Sequence, residues 1–283
     1  MLRIAIQAKG RLNEDCVALF NDAGITASGS HRKLMAHADG FPIDFLYLRD
    51  DDIPQAVSMG VADLGIVGQN EVAEKEELVD EIMPLGFGKC RISLAVPKNC
   101  DYTGLEWFNG KRIATSYPVI LAKFLKEQNI SADIHTIAGS VEVAPAVGMA
   151  DAIFDIVSSG GTLVQNGLME VEKVFYSEAV LIANKSLDAE KRADIEKLRF
   201  RFDSINQSRG MKYVLMNLPK ERIEQAVALL PGMKSPTLLP LADEGWYSMH
   251  VVIAQDELWD KIEQLKQLGA EDILVLALEN LIR

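Results

Sequence analysis

Asp151-Ala-Ile-Phe-Asp155-Ile-Val-Ser158-Ser159-Gly160-Gly161-Thr162 is the stretch on which the fold turns. Its first half is the short apolar, β-branched run of a buried strand, and its second half is a hydroxyl- and glycine-rich turn that opens a helix from about Thr162 to Leu168. A buried strand passing straight into a helix is the repeating unit of an α/β sheet. The same turn suits an anion. Glycines let backbone N–H groups approach closely, a helix start adds a favourable dipole, and Ser158, Ser159 and Thr162 add hydroxyl donors. Asp155, at the strand's end, can hydrogen-bond ribose hydroxyls directly or together with a Mg²⁺ carried by a pyrophosphate. An N-cap with a tight turn would use the same residues with no ligand, so both readings stand at this point.

Strand and helix alternate on both sides of this segment. Upstream the pattern predicts strand Arg112–Thr115, helix Val119–Gln128, strand Asp133–Ile137 and helix Val141–Gly148. Earlier still come strand Leu2–Gln7, then a helix Leu12–Ala23 with Leu12, Cys16, Leu19, Phe20 and Ala23 at helical spacing and Gly24 to end it. Strands Leu34–Ala38 and Ile43–Leu48, a helix entered at Asp52 through Pro54 and running to Met59, and strand Leu64–Val67 follow. Val57-Ser-Met-Gly-Val-Ala-Asp63 and Pro145-Ala-Val-Gly-Met-Ala-Asp151 both place G-x-A-D between a helix end and a strand, 88 positions apart. These read as equivalent turns in two similar lobes. The strand-rich stretches Val79–Pro97 and Val171–Asn184 read as crossings between the lobes, with the cleft between them as the default ligand site.

The expected organisation is lobe I from 1–95 plus 175–210, lobe II from 96–174, and a third domain from 211–283. Asp188–Gln207 is so highly charged that it reads as a solvated connector helix. From 211 the order is strand Lys212–Leu218, helix Glu221–Leu230, strands Thr237–Leu241 and Tyr247–Ala254, helix Glu257–Leu268 and strand Ile273–Leu278. That is the βαββαβ order of a ferredoxin-like unit.

Composition narrows the function classes. With 283 residues, 48% of them apolar and 25% charged, the chain can bury a substantial core. A net charge of −12 excludes a general nucleic-acid surface, so an anionic substrate needs a locally basic pocket. No apolar run approaches the roughly 20 residues of a membrane span, and no secretion signal is readable, which gives the expectation of a cytoplasmic protein. Cys16, Cys90 and Cys100 fit reduced thiols, and His31, His37, His135 and His250 show no metal-ligand spacing, so no protein-held metal is expected.

Further candidates lie at strand ends. Lys9-Gly10-Arg11 follows the first strand, where two cations around a glycine suit an anion or are simply solvated. Arg49 follows strand Ile43–Leu48, and one residue of Asp50-Asp51-Asp52 caps the next helix. Arg32 and Lys33 are weaker candidates. Asp63 begins a strand whose end, Gly65 to Gly68, allows close backbone approach to a flat ligand; a turn carboxylate is its other reading. Thr115-Ser116-Tyr117-Pro118 is another possible anion-facing turn, and Glu142 is a carboxylate on the helix before the glycine loop, where a plain surface position is the base-rate expectation.

Together these segments resemble the ATP phosphoribosyltransferase family over essentially the whole chain. The resemblance rests on Ile4-Ala-Ile-Gln-Ala-Lys9-Gly-Arg11-Leu, Leu48-Arg49-Asp-Asp-Asp52-Ile-Pro, Ala62-Asp63-Leu-Gly-Ile-Val-Gly68, Gly110-Lys-Arg-Ile-Ala-Thr-Ser-Tyr-Pro118, Gly139-Ser-Val-Glu142-Val-Ala-Pro and Asp155-Ile-Val-Ser-Ser-Gly-Gly-Thr162. It implies a two-lobed, periplasmic-binding-protein-like catalytic core followed by a ferredoxin-like regulatory domain. It also implies a reaction in which N1 of ATP's adenine displaces pyrophosphate from C1 of phosphoribosyl pyrophosphate (PRPP), with Mg²⁺ borne mainly by the substrates. The roles it implies are Asp155 and Ser158, Ser159, Gly160, Gly161 and Thr162 on the ribose phosphate, and Lys9, Arg11 and Arg49 on phosphate charge. Asp63 would lie near the adenine and Glu142 would face the developing positive centre. Leu230-Pro-Gly-Met-Lys-Ser-Pro236-Thr237 resembles the signature of the long, histidine-regulated branch, which places inhibitory histidine near Thr237, Leu239 and Ser248 and implies homo-oligomers from dimer to hexamer. Many relatives have proline where this chain has Ala8.

Two other readings share the two-lobed pattern. A solute-binding protein leaves the last domain and the missing export signal unexplained, and a prephenate dehydratase-like enzyme calls for a Thr-Arg-Asp segment where this chain has Ser-Ser-Gly-Gly-Thr. A transcriptional regulator would want a helix-turn-helix and a basic face.

Overall fold

The computed structural model describes residues 1–28 and 34–283; Arg32 and Lys33 therefore lie outside the described residues. The chain divides into two compact units, Met1–Glu196 and Lys197–Arg283.

The first unit runs β1 (Leu2–Gln7), α1 (Arg11–Asp22), β2 (Thr26–Ser28), β3 (Met35–Asp39), β4 (Ile43–Leu48), α2 (Ile53–Ser58), β5 (Leu64–Gly68), α3 (Gln69–Lys75), β6 (Val79–Pro84), β7 (Cys90–Pro97), β8 (Arg112–Thr115), α4 (Pro118–Glu127), β9 (Asp133–Thr136), β10 (Ala152–Val157), α5 (Gly161–Gln165), β11 (Leu168–Ser177) and β12 (Ala179–Asn184). A long helix, α6 (Ala189–Ser208), carries the chain across the division between the units. Two sheets result. Lobe I has strand order β2-β3-β4-β1-β5-β12-β6 and lobe II has β11-β7-β10-β8-β9. β1 is flanked in parallel by β4 and β5, and Leu2, Ile4, Ala5 and Ile6 are all buried, as a central strand covered on both faces requires.

The chain passes between the sheets twice, after β6 and at Glu178 between β11 and β12. The boundary expected at 95/96 cuts through β7, which pairs antiparallel with β10 and β11 and belongs wholly to lobe II. Ile92, Leu94, Ala95 and Val96 are buried, and such a mostly apolar run gives no sign of where one sheet ends and the next begins.

The paired G-x-A-D turns share one hydrogen-bond pattern. Gly60 N donates to Val57 O and Val61 N to Ala56 O; Gly148 N donates to Pro145 O and Met149 N to Ala144 O. The helix expected over Val141–Gly148 is not formed. Only a 3₁₀ turn, Val141–Val143, is present, because Pro145 has no amide with which to continue a helix. The helix expected to reach Leu168 stops at Gln165, and Leu168 opens β11. β2 and α3 had no clear sequence signal.

α6 is less solvated than its charge suggests. Ile195, Leu198, Phe202 and Ile205 are buried at three- and four-residue spacing, an apolar stripe diluted by the charged residues around it.

The second unit continues with β13 (Met211–Pro219), α7 (Ile223–Leu229), β14 (Thr237–Pro240), β15 (Trp246–Ala254), α8 (Gln255–Gln267) and β16 (Glu271–Ala277). Its sheet, β14-β15-β13-β16, pairs antiparallel throughout, which is the ferredoxin-like arrangement. Alternate residues Val214, Met216, Leu218, Met249, Val251 and Ile253 are buried with Ala226, Leu258 and Leu265 of the helices. The chain's last residues return to α6 through Leu281 N to Ser204 O and Ser208 Oγ to Glu279 O.

Candidate functional site

Lobes I and II enclose a cleft of about 490 Å³, bordered by Gly10, Arg11, Asp50 and Gly68 of lobe I and by Ile156 and Ser158 of lobe II. These residues lie at the carboxyl ends of β1, β4, β5 and β10, where open α/β sheets bind ligands.

The first wall is the turn from β1 into α1. Gly10 has φ 99°, a conformation that strains any side chain, and it precedes the first helical residue, Arg11. Asn13 Nδ2 ties the turn to Gln7 O at 2.7 Å. Ala8 donates its amide to Leu48 O at 2.7 Å, so the end of β1 is joined to the end of β4; proline at this position could not make that bond. Lys9 and Arg11 are exposed. Arg49, 76% exposed, forks onto Asp51 of its own turn at 3.0 and 3.3 Å.

The opposite wall is made by Ile156 and Ser158 of the segment Asp155–Thr162. Gly160 has φ 84° and starts α5, and Val164 N donates to its carbonyl at 3.2 Å. Ser158, Ser159, Gly161 and Thr162 are exposed. Asp155 accepts a hydrogen bond from Ile156 N at 2.8 Å, yet its carboxyl is pushed up to about 6 by burial and, after the opposing effect of that amide, by the charge of Glu142. Arg11 and Ser158 thus border one cleft, Asp155 precedes the lining residue Ile156 and feels the charge of Glu142, and Lys9 and Arg49 adjoin the lining residues Gly10 and Asp50 in the chain.

Asp63 is not among them. It lies at the opposite end of β5 from Gly68, is 6% exposed, and is occupied by Arg3 N and Lys191 Nζ, both at 2.8 Å. Gly65 also serves packing: a Cβ there would sit 2.6 Å from Ile53 Cγ2 and 2.9 Å from Val57 Cγ2, so α2 can lie on β5 only over a glycine. Gly68 is the residue of that pair that borders the cleft.

The turn Thr115–Pro118 is likewise committed inward. Thr115 Oγ1 accepts from Tyr117 N at 2.8 Å, and Tyr117 Oη donates to the buried Glu71 at 2.9 Å. Asn70 Nδ2 joins the same pair, and Ser177 Oγ bonds both the Asn70 amide and its side-chain oxygen. One turn further along α3, Glu74 accepts from Val119 N and Ile120 N at 2.9 and 3.0 Å, filling the first turn of α4. Burial raises Glu71, and burial with the neighbouring Glu71 charge raises Tyr117. This buried polar seam between α3 and α4 was missed in the sequence, where Glu71 and Glu74 look like ordinary helix charges. Lys89, which also borders the cleft, was missed too; its signal is a lysine in the glycine-bounded crossing Gly86-Phe-Gly88-Lys89.

In the second unit, Leu239 pairs with Ser248 and Thr237 with His250 across β14 and β15, so all four share one face of the sheet. His250 bonds Tyr213 Oη through Nδ1 at 2.9 Å and Ser248 Oγ through Nε2 at 3.1 Å.

Comparison with known proteins gives consistent matches. Residues 49–204 match the family model described as ATP phosphoribosyltransferase, and residues 208–280 match the model described as HisG, C-terminal domain. The ATP phosphoribosyltransferase of Bacteroides thetaiotaomicron is 58% identical over 282 residues, covering 100% of both chains. That of Cytophaga hutchinsonii is 50% identical over 283 residues, covering 100% of this chain and 99% of the relative. Among solved structures, the ATP phosphoribosyl transferase (HisG:HisZ) complex from Thermotoga maritima aligns with a TM-score of 0.61 and 28% identity over 72% of this chain and 99% of that one.

Proposed function

Since the chain belongs to the ATP phosphoribosyltransferase family, whose reaction joins ATP to PRPP at the first step of histidine biosynthesis, we propose that the interlobe cleft is where the two substrates meet. The observation that carries this assignment is the convergence of Arg11 and Ser158 on one cleft, with Asp155 set beside it in a shielded position that raises its carboxyl to about 6.

Adenine N1 attacks C1 of PRPP and the C1–O bond to pyrophosphate breaks, so no side-chain nucleophile is required. Catalysis comes from alignment and from stabilising charge as C1 gains oxocarbenium character and pyrophosphate leaves. The segment 158–162 takes the ribose phosphate, and Asp155, ionised above about pH 6, accepts the ribose hydroxyls. Glu142 faces the positive centre at C1, while Lys9, Arg11 and Arg49 meet the negative charge on the leaving pyrophosphate and the triphosphate. Lys89, which borders the cleft with Arg11, adds a further cation. Mg²⁺ enters with the phosphates of PRPP and ATP as part of the substrates.

The second unit binds histidine on the patch formed by Thr237, Leu239 and Ser248, and the chain acts as a homo-oligomer, from dimer to hexamer, in the cytoplasm. Among the described residues no helix is long and apolar enough to cross a membrane.

The test is pyrophosphate release with ATP, PRPP and Mg²⁺, with and without histidine, while the phosphoribosyl-ATP product is followed by its ultraviolet absorbance. Loss of one aligned charged contact costs about 2–4 kcal/mol, or roughly 10²–10³ in rate, which is the expectation for Arg11→Ala. If Arg11→Ala and Thr162→Ala both leave kcat/KM unchanged, the site assignment fails even though the reaction stands.

A further inference from the structure

Arg91 of β7 has no place in the site above, yet its side chain reaches the phosphate loop directly. Its Nη1 donates to the carbonyl of Ser158 at 3.2 Å, while Nε and Nη2 fork onto Glu170 of β11 at 2.5 and 2.6 Å. Ser93 Oγ donates to the same carboxylate at 2.6 Å, so three donors hold Glu170 in place. In the sheet, Arg91 stands opposite Val157, the last residue before the loop. β11 breaks register between Glu170 and Glu172, a bulge that re-aims the local side chains. The pair is about one-fifth exposed on each side, so it is less screened than a surface ion pair.

We infer that Arg91, clamped by Glu170, is a positioning residue that sets the phosphate-binding geometry of the loop 158–162 and thereby the affinity for PRPP. The inference rests on the reading of that loop as the ribose-phosphate site. Its physical basis is the planar trans peptide, in which the Ser158 C=O and the Ser159 N–H point in opposite directions. Pinning the carbonyl onto Arg91 fixes the Ser159 N–H on the other side as a preorganised donor for an anion. Arginine is needed because one planar guanidinium must fork onto a carboxylate and still present a third N–H; lysine has a point charge and no fork.

The experiment is steady-state kinetics on the full-length protein, with PRPP and ATP varied separately, for Arg91→Gln, Arg91→Lys and Glu170→Gln, alongside Thr162→Ala and thermal melts. Arg91→Gln is expected to raise KM for PRPP by roughly tenfold, the worth of one charge-assisted hydrogen bond, and to leave KM for ATP within about twofold. Arg91→Lys recovers part of the loss, and Glu170→Gln shows the same PRPP-selective pattern more weakly. If both KM values rise together with a lowered melting temperature, the pair is merely structural and the inference is overturned. An unchanged PRPP KM in Arg91→Gln, with Thr162→Ala raised, overturns the inference but keeps the loop reading. Both unchanged removes the loop reading itself. Should Arg91→Gln not fold, an unchanged PRPP KM in Arg91→Lys overturns the inference equally.

Discussion

Asp151 holds in lobe II the place that Asp63 holds in lobe I. The Asp63 carboxylate accepts the Arg3 amide at 2.8 Å and the Asp151 carboxylate accepts the Arg112 amide at 2.9 Å. Each aspartate also returns its own amide to the same residue's carbonyl, Asp63 to Arg3 at 2.9 Å and Asp151 to Arg112 at 2.8 Å. The G-x-A-D turn is thus a clasp that fastens the strand after the turn to its parallel neighbour, β5 to β1 and β10 to β8. The second partner differs. Lys191 completes the lobe I clasp, whereas the Arg112 guanidinium turns back onto Asp151 and holds its carboxyl below the usual carboxylate range.

This geometry makes Asp63 a stability residue. Asp63→Ala removes an acceptor that is 6% exposed and leaves Lys191 without its partner, at an expected cost of about 2 kcal/mol by urea denaturation, while kcat/KM for ATP stays near the parent value. Unchanged stability with a tenfold fall in kcat/KM for ATP would return Asp63 to the adenine.

Glu74 is a cap supplied from another helix. Val119 N and Ile120 N are first-turn amides with no intrahelical partner, and the carboxylate satisfies both. Glu74→Ala should cost about 1–2 kcal/mol, and Glu74→Gln less, since its amide oxygen can keep one bond. Equal losses for the two variants would show that packing, rather than capping, is what the side chain supplies.

Much of this fold is legible in the sequence because local signals agree with the final structure. β1, β4 and β8 have the predicted bounds, since each is an apolar run closed by a polar or glycine turn. The errors differ in cause. Nothing local says that β7 leaves one sheet for another, whereas Pro145 and the three- and four-residue apolar spacing in α6 are local signals outweighed by the helical and charged residues around them. The site divides in the same way. Glycine and hydroxyl spacing exposes the loop at Ser158–Thr162, and a basic turn exposes Lys9–Arg11. A motif carboxylate such as Asp63 looks the same in sequence whether it faces a ligand or, as here, a backbone amide. Arg91 and Glu170, 79 positions apart, meet only through the pairing of β7 with β11.

Regulation is tested on the β14–β15 patch. Thr237→Ala and Ser248→Ala are expected to weaken histidine inhibition while leaving the uninhibited kcat unchanged, because both lie in a compact unit separate from the one holding the cleft. A chain ended near residue 210, if it folds, should turn over without responding to histidine. Inhibition retained in that shorter chain would move the effector site into the first unit.

Asp155 links pH to both activity and stability. Burial, reinforced by Glu142, raises its carboxyl to about 6, so below that pH it is protonated and has lost the charge with which it meets the ribose. The expected result is an acid limb in kcat/KM for PRPP with an apparent midpoint near pH 6, which Asp155→Asn removes together with most of the activity. Stability moves in the opposite sense. A carboxyl whose value is raised in the fold binds its proton more tightly there than in the unfolded chain. Its contribution is fully present below the ordinary aspartate range and is lost as pH rises to about 6. Asp155→Asn can still accept the Ile156 amide but has no charge to bury, so its melting temperature should exceed the parent's at pH 8 and converge with it near pH 4. A variant less stable than the parent at both pH values would mean that the buried carboxylate is not a source of strain, and would leave the acid limb to be explained by another group.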